Sequence, residues 1–158
     1  MTETSPKPKS FTEEQVVKAL TEKFQDKVAE VIIKPRKIFI KVDRSVILEL
    51  CKTIKEGFEF EHCSCVSGVD MKTSFQVVYH ISSYSNRMIM QITVDLPRDT
   101  PEVDSITPLY GGANWHERET YDMFGIVFKG HPKMERLLLS PDCQFFPLRK
   151  DFEVGRRI

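Results

Sequence analysis

The segment SFQVVYHISSYSNRMIMQITVDL, residues 74–96, decides the fold. Its first half places Phe75, Val77, Tyr79 and Ile81 at alternate positions, and its second half does the same with Met88, Met90, Ile92, Val94 and Leu96. A period of two puts each set on one face of a strand. Residues 83–86 between them are turn-forming, so the segment reads as an antiparallel hairpin with one apolar face and one wet face. The apolar face needs a cover, and two helical patterns upstream supply it.

Ser10 and Glu13 form an S-x-x-E capping box, and Val17, Leu20, Phe24 and Val28 follow at helical spacing, which predicts a helix over about 11–28. VIIKPRKIFIKV then gives two short β-rich pieces broken by Pro35. Asp43 is placed to cap a second helix, RSVILELCKTIKEG, whose Ile47, Leu50, Cys51 and Ile54 share a face and whose Gly57 suits a left-handed exit. FEFEHCSCVSGVD alternates at its start and reads as another strand. The expectation is an α+β fold, two N-terminal helices packed on a mostly antiparallel sheet.

After Pro97 the character changes. Pro97, Pro101, Pro108, Pro132, Pro141 and Pro147 punctuate a winding segment with one short helix near 113–124, ended by Gly125. Long irregular segments in a compact domain are usually functional or draped over a partner. The organisation expected is a flexible tail over 1–10, a single α+β domain over 11–140 and an extended, partner-wrapping segment over 141–158.

Bulk properties exclude several classes. Lys plus Arg equals Asp plus Glu at 23 each in 158 residues, so no basic field collects nucleic acid or an anionic membrane surface. The four cysteines lack the density and spacing of a disulfide framework, which points to a reducing compartment. The N-terminus MTETSPKPKS has no secretory core, is not Arg-rich and lacks the Gly that myristoylation needs. No run approaches the ~18–20 apolar residues of a spanning helix, so membrane association is expected only through a partner.

Neither G-x-G-x-x-G, G-x-x-x-x-G-K nor G-x-S-x-G is present. The two glycines of YGGANW suit a tight turn better than an anion site. HCSC, at 62–65, is the best metal candidate: on a regular strand Cys63 and Cys65 share one face and His62 takes the other, so at most two thiolates converge where zinc or an iron–sulfur cluster generally needs four ligands. A small metal- or thiol-dependent enzyme using His62, Cys63, Cys65 and His116 is the alternative reading. NWHERETYD, at 114–122, imitates a zinc-protease H-E-x-x-H, but Thr120 stands where the second His is required, and His131 lies beyond Gly125 and Gly130. On a helix Arg118 and Asp122, Glu117 and Tyr121, and Trp115 and Glu119 are four apart. One reading is a solvated helix laced with pairs that contribute about 0.3–0.5 kcal/mol each. The other is an interface, because Trp115, Tyr121, Met123 and Phe124 are too much apolar surface to leave wet.

The whole stretch GANWHERETYDMFGIVFKGHPKMERLLL, residues 112–139, resembles the signature of the thirty-kilodalton subunit of respiratory NADH dehydrogenase, complex I. SGVD at 67–70, VVYHI at 77–81 and PLRKDFE at 147–153 match further landmarks of that family in order and type. The resemblance implies an α+β domain in the peripheral arm, docked on the hydrogenase-like large subunit of the 49-kilodalton type beside an iron–sulfur subunit. It implies no catalytic residue, metal or cofactor in this chain, with flavin and iron–sulfur clusters in the neighbours. The implied role is a non-catalytic assembly subunit of a proton-translocating complex that passes electrons from NADH, a reduced deazaflavin or ferredoxin to a quinone or phenazine. The same family serves deazaflavin dehydrogenases of methanogens, plastid-type complexes and group 4 membrane-bound hydrogenases. Carried over by position, the interface residues are Trp115, Glu117, Arg118, Glu119, Asp122, Gly125, His131, Pro132, Arg136, Arg149, Lys150 and Asp151, with the charges expected in buried pairs across the contact and the tail wrapping the partner. The chain stops soon after PLRKDFE, so an unfused prokaryotic or plastid-type subunit is expected, on the cytoplasmic face of a cell membrane or the matrix or stroma side of an organelle.

Overall fold

The computed structural model describes residues 11–153. Over these the chain forms α1 (Glu13–Phe24), β1 (Val28–Lys34), β2 (Lys37–Val42), α2 (Ile47–Phe58), β3 (His62–Asp70), β4 (Ser74–Ser83), β5 (Met88–Pro97), β6 (Glu102–Asp104), α3 (Ala113–Phe124) and β7 (Val127–Lys129). Five strands make one sheet in the order β1-β2-β5-β4-β3, and β6 and β7 form a small separate pair. The hairpin of 74–96 is its centre. Phe75, Val77, Tyr79, Ile81, Met90, Ile92 and Val94 are fully buried on one face, beside Ile38 and Ile40 of β2. Val16, Leu20 and Phe24 of α1 and Ile47, Leu50, Cys51 and Ile54 of α2 cover that face. Each fully buried aliphatic or aromatic side chain contributes roughly 1.5–3 kcal/mol, so this layer is what holds the domain together.

The structure differs from the expectation at several points, each with a local cause. The sheet is mixed: β2 runs parallel to β5, while the other pairings are antiparallel. Helix α1 is capped by Thr12, whose side chain accepts from the Gln15 N–H while the Gln15 side chain accepts from the Thr12 N–H. The capping box expected at Ser10 rests on a residue outside those described. The helix ends at Phe24 in a single 3-10 turn, so Val16 replaces Val17 on the buried face and Val28 opens β1. Asp43 caps as expected, accepting from the Ser45 N–H at 2.9 Å, but through a short 3-10 turn ahead of α2. The left-handed exit of α2 is Glu59 at φ 57°, not Gly57. Phe58 packs edge-on against Phe11, centroids 5.1 Å apart, and Phe60 is fully buried, so aromatic packing carries the helix past the glycine.

Helix α3 keeps its expected bounds and ends at Gly125 with φ 74°. It lies on the covered face against β3 at Gly68, where a Cβ would come within 2.7 Å of Phe124 and 2.9 Å of Thr120. Only a glycine permits so close an approach. Beyond β7 the described residues form neither helix nor strand, and they fold back along α3, the Leu148 N–H donating to the Met123 carbonyl at 3.2 Å. No helix of the described residues is long and apolar enough to cross a membrane.

Candidate functional site

Helix α3 is inverted: two of its three carboxylates point in and its tryptophan points out. Glu117 and Asp122 are fully buried, whereas Trp115 is 60% exposed. Burial of a charge is tolerated only where donors converge on it, and both carboxylates meet that condition within this chain. Glu117 accepts from the Ile106 N–H at 2.9 Å on Oε1, and from the Ser105 and Thr107 hydroxyls at 2.5 and 3.0 Å on Oε2. It thereby fixes the loop after β6 across the helix. Burial pushes its pKa above the ordinary glutamate value, and the three donors offset only part of that rise.

Asp122 organises the C-terminal segment. Its Oδ1 receives Arg136 Nη1 at 2.7 Å, and its Oδ2 receives the successive N–H groups of Leu137, Leu138 and Leu139 at 3.1, 2.7 and 2.9 Å. Three consecutive amides aimed at one oxygen make an anion nest. Burial alone would raise this carboxyl, but the amides and the guanidinium outweigh it and hold the pKa below the usual value. Arg136 also reaches the Phe145 carbonyl at 3.1 Å. The Arg118–Asp122 pair expected from helical spacing therefore does not form: Arg118 donates to the carbonyls of Glu135 and Arg136, each at 3.2 Å, and stacks 5.3 Å over Trp115. Nor is Glu117 partnered with Tyr121.

The far end of the segment is tied down at a third carboxylate. Asp70, buried at the end of β3, accepts from Arg98 Nη1 at 2.8 Å and from the N–H groups of Lys72 and Lys150 at 2.7 and 2.9 Å. Burial opposes its ionisation, yet these donors bring it down to about 2. Arg98 also pairs with Asp151 at 2.9 Å, so the SGVD and PLRKDFE landmarks meet in space. Arg149 donates to the Phe124 carbonyl at 2.7 Å and stacks 4.5 Å over Phe146. A Cβ on Gly125 would lie 2.6 Å from the Arg149 guanidinium and 2.7 Å from Phe146, so that glycine is required by space as well as by its φ. His131 accepts from the Lys133 N–H on Nδ1, which leaves Nε2 to donate to the Asn114 carbonyl at 3.2 Å; the ring stitches the β7 turn to the start of α3.

Of the residues singled out from sequence, Glu117, Arg118, Asp122, Gly125, His131, Arg136, Arg149 and Asp151 thus belong to one internal latch, to which Lys150 contributes its backbone. The surface left over it carries Trp115, Glu119 and Pro132, with Leu138 and Leu148 65% and 54% exposed. Glu119 borders a shallow depression floored by Gly68, Met123, Phe124 and Leu148. Arg98, Ser105 and Thr107 are site residues that sequence reasoning misses. They sit in a Pro-punctuated stretch without periodicity, and the only signal for them is that a buried carboxylate must find donors somewhere.

HCSC does not form the site that its composition suggests. A register shift between Cys63 and Cys65 sets Cys63 opposite Ile81 and Cys65 opposite His80, neighbours on β4 whose side chains take opposite faces. The bulge therefore separates the two thiols that a regular strand would have brought together. Burial raises the Cys63 thiol to about 11, which keeps it protonated, and His62 is exposed beside Tyr84. No group of three or more His, Cys, Asp or Glu side chains among the described residues is arranged to hold a metal.

Fold and latch together define a three-helix α+β domain on a mixed five-stranded sheet, with its C-terminal segment strapped over the third helix. Residues 40–157 match the family described as the respiratory-chain NADH dehydrogenase 30 Kd subunit, and the chain belongs to that family. It is 40% identical over 142 residues to the corresponding subunit of the F(420)H(2) dehydrogenase of Methanosarcina mazei, a match covering 87% of this chain and 90% of that one. It is 38% identical over 136 residues to the corresponding subunit of the NADH-quinone oxidoreductase of Saccharopolyspora erythraea, covering 82% of this chain and 55% of that longer relative. Among solved structures, a chain of the membrane-bound sulfane sulfur reductase, an archaeal respiratory membrane complex, superposes with a TM-score of 0.78 at 26% identity over 90% of this chain and 86% of that one. A trypsin-resistant fragment of Nqo5 gives 0.64 at 26% identity over 75% and 98%.

Proposed function

We propose that this chain is a non-catalytic assembly subunit of the peripheral arm of a proton-translocating, complex I-like oxidoreductase, docking on the hydrogenase-like large subunit through α3 and the strap. The observation that carries the reading is the division of labour in the family signature: Glu117 and Asp122 are buried and satisfied within the chain, while Trp115 is left 60% exposed beneath a stacked Arg118. An outward tryptophan braced by an arginine has the composition of a binding hot spot. Glu119, Leu138 and Leu148 extend the same surface. Flavin and iron–sulfur clusters belong to the neighbouring subunits, and the complex carries this chain to the cytoplasmic face of the membrane. The 40% match over 90% of the F(420)H(2) dehydrogenase relative favours a reduced deazaflavin over NADH or ferredoxin as the donor, with a phenazine or quinone as acceptor.

The test is Trp115→Ala in an affinity-tagged chain expressed with its complex. The isolated variant melts like the parent, because the side chain is exposed. Recovery of the large subunit falls on the order of tenfold, as loss of about 1.4 kcal/mol or more from a hot spot requires. A variant complex that assembles and turns over like the parent would sink the proposal.

A further inference from the structure

Two hairpin tips meet at one end of the sheet, and they carry the exposed cations Lys34, Arg36, Lys37 and Arg87. Lys34 and Lys37 are direct cross-strand partners on either side of Pro35 and Arg36, and Ile89 of β5 completes their row on the open face. The Ile89 N–H donates to the Arg36 carbonyl at 3.0 Å, which brings the β4–β5 tip, with Arg87, against the β1–β2 tip. Neither tip is built for the fold's benefit. Like charges directly opposite one another on neighbouring strands repel. Arg36 and Arg87 take left-handed backbone, φ 61° and 53°, where turns ordinarily place Gly or Asn.

The chain does not neutralise this corner. Among the described residues none of the four cations forms an ion pair. The carboxylates at this end, Glu13 and Glu61, accept from the N–H groups of Arg36 and Tyr84 at 2.7 and 2.9 Å. Lys34 lies 5.3 Å over the Phe39 ring, which holds its ammonium on the open face, and Ile89 beside Lys37 is 41% exposed. The formal net charge is zero, so the corner is a local feature rather than part of a general basic field, and it suits an equally local partner. Two lysines about 5 Å apart at Cβ lie within reach of carboxylates at alternate positions of one extended segment. We propose that this corner docks an acidic segment of another subunit, with carboxylates on the four cations and an apolar side chain against Ile89. The proposal rests on the reading of this chain as part of a larger complex, but it uses neither α3 nor the strap. Helix α3 packs on the covered face at β3, the opposite edge of the sheet from β1.

The test treats the complex, purified through a tag on this chain, with a carbodiimide, which joins an ammonium to a carboxylate only where the two already touch. Peptide mass spectrometry should find Lys34 or Lys37 linked to Asp or Glu residues clustered in one segment of another subunit. Lys34→Glu turns the like-charge pair with Lys37 into an opposite one, so the isolated variant melts at or above the parent. The same change weakens the docking contact on the order of tenfold, and that subunit washes off at lower salt. Stability and assembly then move in opposite directions, which a folding defect does not produce. Recovery of no other subunit removes the reading of this chain as part of a complex, and the proposal with it. Other subunits recovered without such a link, or a Lys34→Glu complex as salt-resistant as the parent, overturn the proposal alone. So does an intact variant complex whose isolated chain has lost the parent's binding to phosphatidylglycerol vesicles, because the corner then meets lipid.

Discussion

Asp122→Ala separates the latch from a surface-charge reading of the same residue. The substitution removes a fully buried carboxylate that binds Arg136 at 2.7 Å and the amides of residues 137–139. Breaking one side of a buried ion pair costs about 3–5 kcal/mol, because the other charge is left behind. The three amides do not multiply that figure, since residues 137–139 are half-buried or exposed and water can reach them. The expected loss is therefore about 3–5 kcal/mol, or roughly 6–20 °C in melting temperature for a domain of this size. Arg136→Ala removes less, because Asp122 keeps its three amide donors, and the two changes together cost less than their sum. Urea denaturation of the three variants measures the energies, and limited proteolysis locates the weakened segment between residues 131 and 153. If Asp122→Ala melts within about 2 °C of the parent, or costs no more than Arg136→Ala, the latch is not what holds the segment.

Gly125→Ala forces a side chain into left-handed backbone and against Arg149 and Phe146, and calorimetry should find at least the roughly 1–2 kcal/mol of the backbone penalty alone, about that much if the neighbours yield. Tyr79 is fully buried with its hydroxyl unpaired, so Tyr79→Phe removes an unsatisfied group at almost constant volume and leaves the melting temperature unchanged or raised; a clear fall would reveal a missed partner. Glu117→Gln keeps an acceptor for the Ile106 N–H and a shape the Ser105 and Thr107 hydroxyls can turn to meet. Because the folded state raises the Glu117 pKa, the stability from its protonated form is complete below about 4.3, the unfolded value, and is lost as pH rises through the folded one. The Gln variant should therefore gain on the parent as pH rises from the unfolded value through the raised folded one, and a pH-independent difference would contradict the assignment.

The central hairpin was legible because burial on one side writes itself into the sequence at a period of two, which Phe75 to Ile81 and Met88 to Leu96 each follow on either side of the turn. Helix α3 was legible because Gly125 marks its exit. What failed depended on contacts the local sequence does not carry. Alternation along β5 says that one face is buried, not that β2 lies beside it running in the same direction. Two caps, Ser10 with Glu13 and Thr12 with Gln15, satisfy the same chemistry two residues apart. The bulge in β3 puts Cys63 and Cys65 on opposite faces with no glycine or proline to announce it. Charged residues usually sit outside, and the donors that reverse this for Glu117 and Asp122 come from residues 105–107 and 136–139, beyond any helical neighbour.

That reversal changes how loss of function in the signature should be interpreted. A variant of Glu117, Asp122, Arg136 or Arg149 that fails to assemble does not mark a contact, because Glu117 holds the loop after β6 and the other three hold the strap on α3, so loss of any of them disturbs the surface from beneath. Trp115 and Glu119 stand apart: both are exposed, and Trp115 touches the latch only by stacking under Arg118, whose hydrogen bonds to the Glu135 and Arg136 carbonyls remain without it. If docking uses this face, Trp115→Ala loses assembly with its melting intact, whereas Asp122→Ala loses both. A fall in assembly that simply tracked thermal stability across all of these variants would mean that the signature serves only the fold, and that the docking surface lies elsewhere on the domain.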